Sequence, residues 1–282
     1  MHQTTLQTCV TLSLICIAAC GNHTHANLTD AGVDSARPDA SLACEDVLFG
    51  EPNAQSGLDE AQCRPTCGCD GAPWRAPTWS NERINALLAW TLTAPAQLLT
   101  SDPYDVSAPN VDANAVCAVR ILDRELRSYE LADFATRAAA EAEGAIVTHG
   151  GVCGLCSSLA DLAVYARLPD LTDPVRSCGL AHSDLEGDIE CLRELGFTEP
   201  CAEIWAYNTQ HTRESCLNTC ITLLSAPYHE RDGRLNACLQ CDEDMSGAVF
   251  KAVAGRTRRN TGVASALCRP CNEVVRLDHI YE

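Results

Sequence analysis

Residues 148–158 read THGGVCGLCSS, and at this point the sequence changes from strand patterns to helix patterns. Upstream, residues 116–122 and 128–134 have the side-chain patterns of β-strands. Residues 136–143 are alanine-rich and helical, and residues 145–148 read as a short third strand. The sequence therefore predicts a small strand-helix-strand unit that ends in a glycine-rich turn.

Downstream of this turn the chain is mostly helical, because apolar residues recur there at helical spacing. The predicted helices cover residues 157–167 and 188–195, a segment that begins at Thr198, and stretches near 212–224, 235–242 and 248–253. Upstream, Ser80 can cap one further helix. The predicted fold class is α+β, helix-rich and disulfide-stapled, with the strand-helix-strand unit followed by a helical cysteine-rich part.

The composition is that of a globular and strongly acidic protein. Of 282 residues, 46% are hydrophobic and 21% are charged, with 38 acidic against 20 basic residues and a net charge of −18. The hydrophobic fraction is sufficient for a packed core. Because the net charge repels polyanions, no nucleic-acid partner is expected, and an anionic lipid surface is a poor partner too.

The N-terminus has the pattern of an export signal. The apolar run at residues 10–19 has the length of a signal-peptide core, and residues 17–20 read IAAC. This motif resembles the bacterial lipobox, which implies cleavage before Cys20 and attachment of lipid to that cysteine. Gly21 stands where an aspartate is associated with inner-membrane retention. The resemblance thus implies a bacterial cell-envelope protein that is lipid-anchored, in the outer membrane by preference.

Four parts are predicted along the chain. Residues 1–19 are the signal peptide, and residues 20–43 are a lipid-anchored flexible tether, because they are small and polar without hydrophobic periodicity. Residues 44–110 form a cysteine-rich N-terminal subdomain or an extension of the part that follows, and both alternatives stay open. Residues 111–282 form the main cysteine-rich α+β domain.

Nineteen cysteines indicate how the fold is held together. Two of them lie in the signal peptide and one is the lipid acceptor, so sixteen remain. In an oxidising compartment these most simply form eight disulfides. Cys216 and Cys220 share a helix face, as do Cys238 and Cys241, so each pair is expected to bond to a neighbouring element rather than internally.

Metal binding is an alternative for part of this set. The chain contains three CxxC pairs, namely Cys153/Cys156, Cys238/Cys241 and Cys268/Cys271. Thiolate pairs at this spacing bind zinc in cytosolic proteins, whereas export favours disulfides. No cofactor and no dedicated metal ligand set is predicted.

Cys156 is the candidate nucleophile. It lies near a predicted helix N-terminus, where unpaired N–H groups stabilise a thiolate, and His149 is seven residues upstream. Residues 153–156 are similar to the nucleophile segment of papain-type peptidases, which implies a bridged Cys153 and a reactive Cys156. His149 or His279 would act as the base, and Asp161 can orient a histidine or face water. The alternative is a disulfide-stapled helix start without catalysis.

An arginine-rich loop is the candidate anion site. Arg256, Arg258 and Arg259 lie between two predicted helices in an otherwise acidic chain. Guanidinium groups bind carboxylate, phosphate or sulfate in a bidentate manner. The alternative is pairing of these arginines with the protein's own carboxylates, including Asp242 and Glu243.

The main domain also resembles a cysteine-rich exported family found in microalgae and bacteria. The motifs that carry this resemblance are THGGVCGLCSS, DLAVY at 161–165, GFTEPC at 196–201, LNACLQCDE at 235–243 and AGRTRRNTG at 254–262. The resemblance implies a grouping without a known activity. The leading hypothesis is a lipid-anchored binding or interaction module with a small anionic ligand at the arginine loop. The alternatives are a hydrolase or transferase that uses Cys156, and metal binding through the CxxC pairs.

Overall fold

The computed structural model describes residues 43–69, 71, 73–110 and 112–281. The predicted signal peptide, the acceptor Cys20 and all but the last residue of the predicted tether lie outside the described residues. The contacts place Ser41–Glu282 in one compact unit. None of the helices in the described ranges combines the length and the hydropathy that a bilayer span requires.

Within the described residues the strands form one four-stranded sheet and two smaller sheets. The strands are β1 (Leu48–Phe49), β2 (Cys63–Arg64), β3 (Thr66–Cys67), β4 (Trp74–Arg75), β5 (Thr91–Leu92), β6 (Val116–Asp123), β7 (Ser128–Phe134), β8 (Ile146–Gly150) and β9 (Arg269–Pro270). The four-stranded sheet has the order β5-β7-β6-β8, with β6 antiparallel to both β7 and β8. The predicted strands at 116–122, 128–134 and 145–148 are confirmed as β6, β7 and β8.

Helices make up most of the chain after β8. They are α1 (Asn81–Leu88), α2 (Arg137–Ala142), α3 (Leu159–Arg167), α4 (Thr172–Ala181), α5 (Leu185–Glu194), α6 (Glu199–Cys220), α7 (Ala237–Met245), α8 (Gly247–Ala254) and α9 (Arg258–Thr261). Because α2 connects β7 to β8, the strand-helix-strand unit and the helical part after it are confirmed. The two segments predicted from Thr198 and near 212–224 are one 22-residue helix, α6.

α3 is the central helix, because it is buried on both sides. Seven of its nine residues are buried, Leu159 and Leu162 among them. These two pack in one cluster with Val119 of β6 and Tyr129 of β7. The later residues of α3 pack in a second cluster with α4, α5, α6 and α8. α3 therefore connects the sheet to the helical part of the domain.

Eight disulfides are present among the described residues, as the cysteine count predicts. The pairs are Cys44–Cys69, Cys63–Cys268, Cys67–Cys271, Cys117–Cys153, Cys156–Cys201, Cys178–Cys191, Cys216–Cys241 and Cys220–Cys238. The last two join α6 to α7, so the expectation that each same-face pair bonds to a neighbouring helix is confirmed. Removing a disulfide from a small exported domain typically costs ~2–5 kcal/mol, so this set accounts for much of the stability.

The cysteine-rich segment at 44–110 is joined to the C-terminal part of the chain. β1 pairs antiparallel with β9, and two disulfides connect the β2–β3 region to Cys268 and Cys271. Gly50 permits this close approach, since a Cβ there would lie 2.7 Å from Ser265 O and 2.8 Å from Cys63 Sγ. β5 extends the same segment into the four-stranded sheet.

Candidate functional site

Cys156 lies one turn before α3, where the sequence predicts a helix start, but its sulfur is not a thiol. Sγ is bonded to Cys201 of α6, and Cys156 is completely buried. Cys153 is bonded to Cys117 of β6. A disulfide sulfur carries no thiolate, so the geometry corrects the nucleophile hypothesis and agrees with the alternative of a stapled helix start.

His149 forms a pair with a hydroxyl that the sequence did not single out. Its Nδ1 donates to Gly150 O at 3.0 Å, because a carbonyl can only accept, and its Nε2 therefore accepts from Ser157 Oγ at 2.7 Å. Ser157 Oγ also accepts from Gly154 N–H at 2.7 Å. The only sequence signal for this pair is a hydroxyl residue eight positions after the histidine, at a helix start.

The Ser157–His149 pair has the polarity of a serine activated by a base, but it is closed to substrate. Both residues are completely buried. Gly255 lies directly over the hydroxyl, since a Cβ at that position would be 2.8 Å from Ser157 Oγ. Burial also holds the pKa of His149 well below its ordinary value. The pair therefore connects β8 to the turn before α3 through hydrogen bonds that are buried in the protein.

Arg256 is part of the same buried network and does not belong to an open anion site. Its Nε donates to Cys156 O at 3.0 Å, and Nη2 donates to Thr148 Oγ1 and Ser157 O, both at 2.8 Å. Nη1 donates to Thr148 O at 3.0 Å and to Thr261 Oγ1 at 3.4 Å. All five N–H groups are used and the side chain is completely buried, so no ligand can reach it.

His279 and Asp161 are buried at separate places. His279 Nε2 donates to Thr261 O at 2.7 Å, so its Nδ1 accepts from Tyr281 O–H at 2.9 Å, and burial lowers its pKa to about 3. Asp161 accepts from Ser158 Oγ and from the N–H and hydroxyl of Thr198, and burial raises its pKa. In the described residues neither side chain hydrogen-bonds Cys156, and each connects elements of the core.

The CxxC pairs hold no metal-binding thiolates in this structure. Each of the six cysteines in the three pairs is in a disulfide with a cysteine outside its own pair. Within the described ranges, one group of metal-ligand type comes together, formed by Cys117, Asp133 and Cys153. Its two sulfurs form one disulfide, and Asp133 Oδ1 accepts from Cys153 N–H at 2.6 Å. In this structure the sulfurs of the three CxxC pairs are therefore disulfide sulfurs.

A cavity of about 400 Å³ lies among α4, α6, α7, α8 and the segment that contains α9. Its size is that of a small-molecule site, and its wall is mainly apolar. The wall includes the large apolar side chains Tyr165, Leu171, Val175, Trp205, Leu239, Phe250 and Val263. Four apolar side chains that also line it are solvent-exposed, namely Leu180, Leu217, Ile221 and Leu224. The apolar lining of the cavity therefore includes side chains at the protein surface.

Arg258 of α9 lines this cavity with an unusual set of partners. Nη1 donates to Tyr165 O at 2.8 Å and to Ala264 O at 3.4 Å, and Nη2 donates to Leu168 O. In the described part of the chain, no carboxylate lies within ion-pair distance of Arg258 and no atom accepts a hydrogen bond from its Nε–H. Its guanidinium carbon lies 5.4 Å from the centroid of the Tyr165 ring. Burial lowers the pKa of Arg258 to about 10, so the guanidinium stays charged at neutral pH.

Arg259, by contrast, is neutralised within the protein. Its Nη2 is 2.6 Å from Glu243 Oε2, and its Nη1 is 2.9 Å from Glu273 Oε2. Arg269 pairs with the other oxygen of Glu243. The three predicted arginines thus separate: Arg256 is in the core, Arg259 has the intramolecular pairing foreseen as the alternative, and Arg258 alone lines the cavity without a carboxylate partner.

Asp242 of α7 is a second charged group in the cavity wall. Its Oδ1 accepts from Asn208 Nδ2 at 3.3 Å and from the Thr212 hydroxyl, and both donors lie on α6. Its Oδ2 accepts no hydrogen bond from the described residues. Burial is the main cause that raises the pKa of this carboxyl. Sequence reasoning placed Asp242 only among acidic partners for the arginines.

Comparison with known proteins gives one match. The profile of a family of unknown function, DUF8771, matches residues 186–277. This segment runs from α5 to beyond β9 and contains Arg258 and Asp242. No curated protein and no solved structure matches the chain. What is shown is a disulfide-rich α+β domain whose C-terminal third matches a family without a known activity.

Proposed function

We propose that this domain binds a small amphipathic anion in the cavity, with the anionic group of the ligand at Arg258. The observation that carries the proposal is the pairing of this guanidinium with three backbone carbonyls and no carboxylate. A charge that is partly removed from water without a counter-charge is costly, and an anion at this position supplies one. The free Nε–H supplies a donor for the same group.

The remainder of the cavity wall supports an apolar body for the ligand. Most of the accessible wall is apolar, and the exposed leucines and isoleucine at its edge continue that surface outward. The cavity wall also has more basic than acidic side chains, whereas the chain as a whole has more acidic ones. The charged side chains of the wall are Arg176, Arg213, Lys251, Arg258, Arg259 and Arg269 against Asp170, Asp242 and Glu243, in a protein of net charge −18. Four of these cations are paired with carboxylates inside the protein, so the arginine that remains for an anionic ligand is Arg258.

The test is calorimetric titration of the purified protein with dodecanoate and with dodecanol. We expect dodecanoate to bind at least about ten-fold more tightly, because a charged hydrogen bond contributes ~1.5–3 kcal/mol. Arg258→Met is expected to remove this difference. Arg176→Met is the matched control, since Arg176 lines the same cavity but is paired with Asp173 at 3.4 Å. Equal binding of the two compounds by the unaltered protein would contradict the proposal.

We further propose that the domain is exported and held at a bacterial membrane through lipid on Cys20. The lipobox-like residues 17–20 and the eight disulfides, which need an oxidising compartment, support this. The test is fractionation of cells that express the protein or its Cys20→Ala variant. The variant should leave the membrane fraction and lose the mass of the lipid. An unchanged distribution would rule out the anchor.

A further inference from the structure

The charged groups of the cavity wall fall into two classes by their partners. Most are satisfied within the protein. Arg259 and Arg269 share Glu243, Arg176 pairs with Asp173, Arg213 lies 3.7 Å from Asp188, and Asp170 accepts from Tyr228 O–H at 2.8 Å and Asn53 Nδ2 at 2.9 Å. Among the described residues of the wall, Arg258 is the arginine without a carboxylate partner, and Asp242 is the carboxylate with one oxygen, Oδ2, that accepts no hydrogen bond.

These two groups have opposite charge and are held on different walls. Arg258 is fixed by the carbonyls of Tyr165 and Leu168, at the end of α3. Asp242 is fixed through Oδ1 by two side chains of α6, which leaves Oδ2 without a donor among the described residues. The two groups do not form an ion pair with each other, since no nitrogen of Arg258 is within 4.0 Å of that carboxylate.

We infer that the ligand is a zwitterionic amphiphile, whose anionic group meets Arg258 and whose ammonium group donates to Asp242 Oδ2 across an apolar chain. This inference rests on the proposed function and extends it from the anion to the second end of the ligand. A carboxylate that lines an apolar cavity with one oxygen unpaired is stabilised by a cationic donor for the same reason that Arg258 is stabilised by an anion. The mainly apolar wall suits the chain that separates the two groups.

The inference is tested with ω-aminododecanoate, dodecanoate and N-acetyl-ω-aminododecanoate, titrated into the full-length protein. We expect the amino acid to bind about ten-fold more tightly than dodecanoate, since a charge-assisted hydrogen bond is worth that factor or more. Acetylation removes the cation and should remove the gain. Because the three compounds are compared on the unaltered protein, this result does not depend on whether a variant folds.

A variant places the effect at one residue. Asp242→Asn keeps an oxygen that can accept from Asn208 and Thr212, but it lacks the charge. It should bind dodecanoate within about two-fold of the unaltered protein and show no gain from the amino group. In a series of ω-amino acids of increasing length, the unaltered protein should show one best length, and this optimum should vanish in Asp242→Asn.

The outcomes separate the two proposals. If dodecanoate binds through Arg258 but the amino group adds nothing, the zwitterionic ligand is overturned and the amphipathic anion remains. If the amino group adds the same factor to the Asp242→Asn variant, the role of this carboxylate is overturned. If neither compound binds the unaltered protein, both proposals fail.

Discussion

At the scale of single residues, the buried arginine and histidines are structural because every polar atom has a partner inside the protein. Arg256 bonds the strand residue Thr148, the turn before α3 and Thr261 of α9 at once. Its burial lowers its pKa, and five N–H donors offset the cost of the charge. A side chain that joins three elements in this way specifies their relative positions.

Arg256→Met should destabilise the domain strongly. The substitution removes the donor from three backbone carbonyls and two threonine hydroxyls, and each buried group left without a partner costs ~1–3 kcal/mol. We expect a loss of about 3–5 kcal/mol in the free energy of unfolding, measured by urea denaturation. Arg234→Met is the control, because Arg234 is exposed and pairs only with Asp232 two residues away. Similar loss in both variants would show that Arg256 has no special role.

His279 should make the stability depend on pH. Its pKa is about 3 in the folded protein, against an ordinary value of 6.5, so the unfolded chain binds its proton first as the pH falls. The contribution of this residue is therefore complete above about pH 6.5 and is lost progressively toward pH 3. Replacement by glutamine should reduce the loss of stability between pH 7.5 and 4.5 by roughly 2–3 kcal/mol. If the free energy of unfolding changed with pH in the same way in both proteins, the prediction would be refuted.

At the scale of elements, α6 and α7 are held side by side by two disulfides one helical turn apart on each helix. Cys216 bonds Cys241 and Cys220 bonds Cys238, so the helices run antiparallel with their facing surfaces fixed. Asp242 lies on α7, next to Cys241. Both Cys220 and Cys238 line the cavity. The crosslinks therefore set the shape of one cavity wall.

Replacing Cys220 and Cys238 with alanine should affect stability and ligand binding together. The lost link spans 18 residues, for which chain entropy gives about 3 kcal/mol. The matched control replaces Cys178 and Cys191, which join α4 to α5 across 13 residues and do not line the cavity. Both variants should lose comparable stability, but affinity for dodecanoate should fall only in the first. An equal loss of affinity in both variants would show that the Cys220–Cys238 disulfide has no specific effect on the cavity.

The elements were the most predictable part of the fold, since periodicity is a local property. Periodicity predicts the strands β6, β7 and β8 and the helix α7. It also predicts the helix faces on which Cys216 and Cys238 lie. α4 was missed because Pro174 and Gly179 weaken the helical pattern, although proline is tolerated in a first turn. The sequence alone cannot show that Arg256 lies in the core and Arg258 in a cavity wall. The two residues have the same side chain and are only two positions apart.

At the scale of the whole molecule, the two ends of the described chain are joined by adjacent disulfides. Cys63–Cys268 and Cys67–Cys271 span 205 and 204 residues. No local pattern predicts such pairings, because the partners meet only after every element between them has packed. No local pattern predicts the cavity either, since its wall comes from helices that are distant in sequence.

These two disulfides should be strongly non-additive. While one is present, the other closes only a small ring, so removing either should cost about 2–3 kcal/mol. Removing the second as well opens the long loop and should cost a further ~5 kcal/mol. The measurement is the free energy of unfolding of the two double alanine variants and of the variant that lacks all four cysteines. A simple sum of the two single losses would contradict the argument.

The same two links have a consequence for a protein that meets proteases. A single cut at any exposed loop between Cys67 and Cys268 leaves both fragments covalently attached, since the ends of the chain are crosslinked outside the cut. The nicked protein would migrate as one band on a gel without reductant and separate into two with it. Attack on one loop would thus leave the folded domain, and its cavity, in one piece.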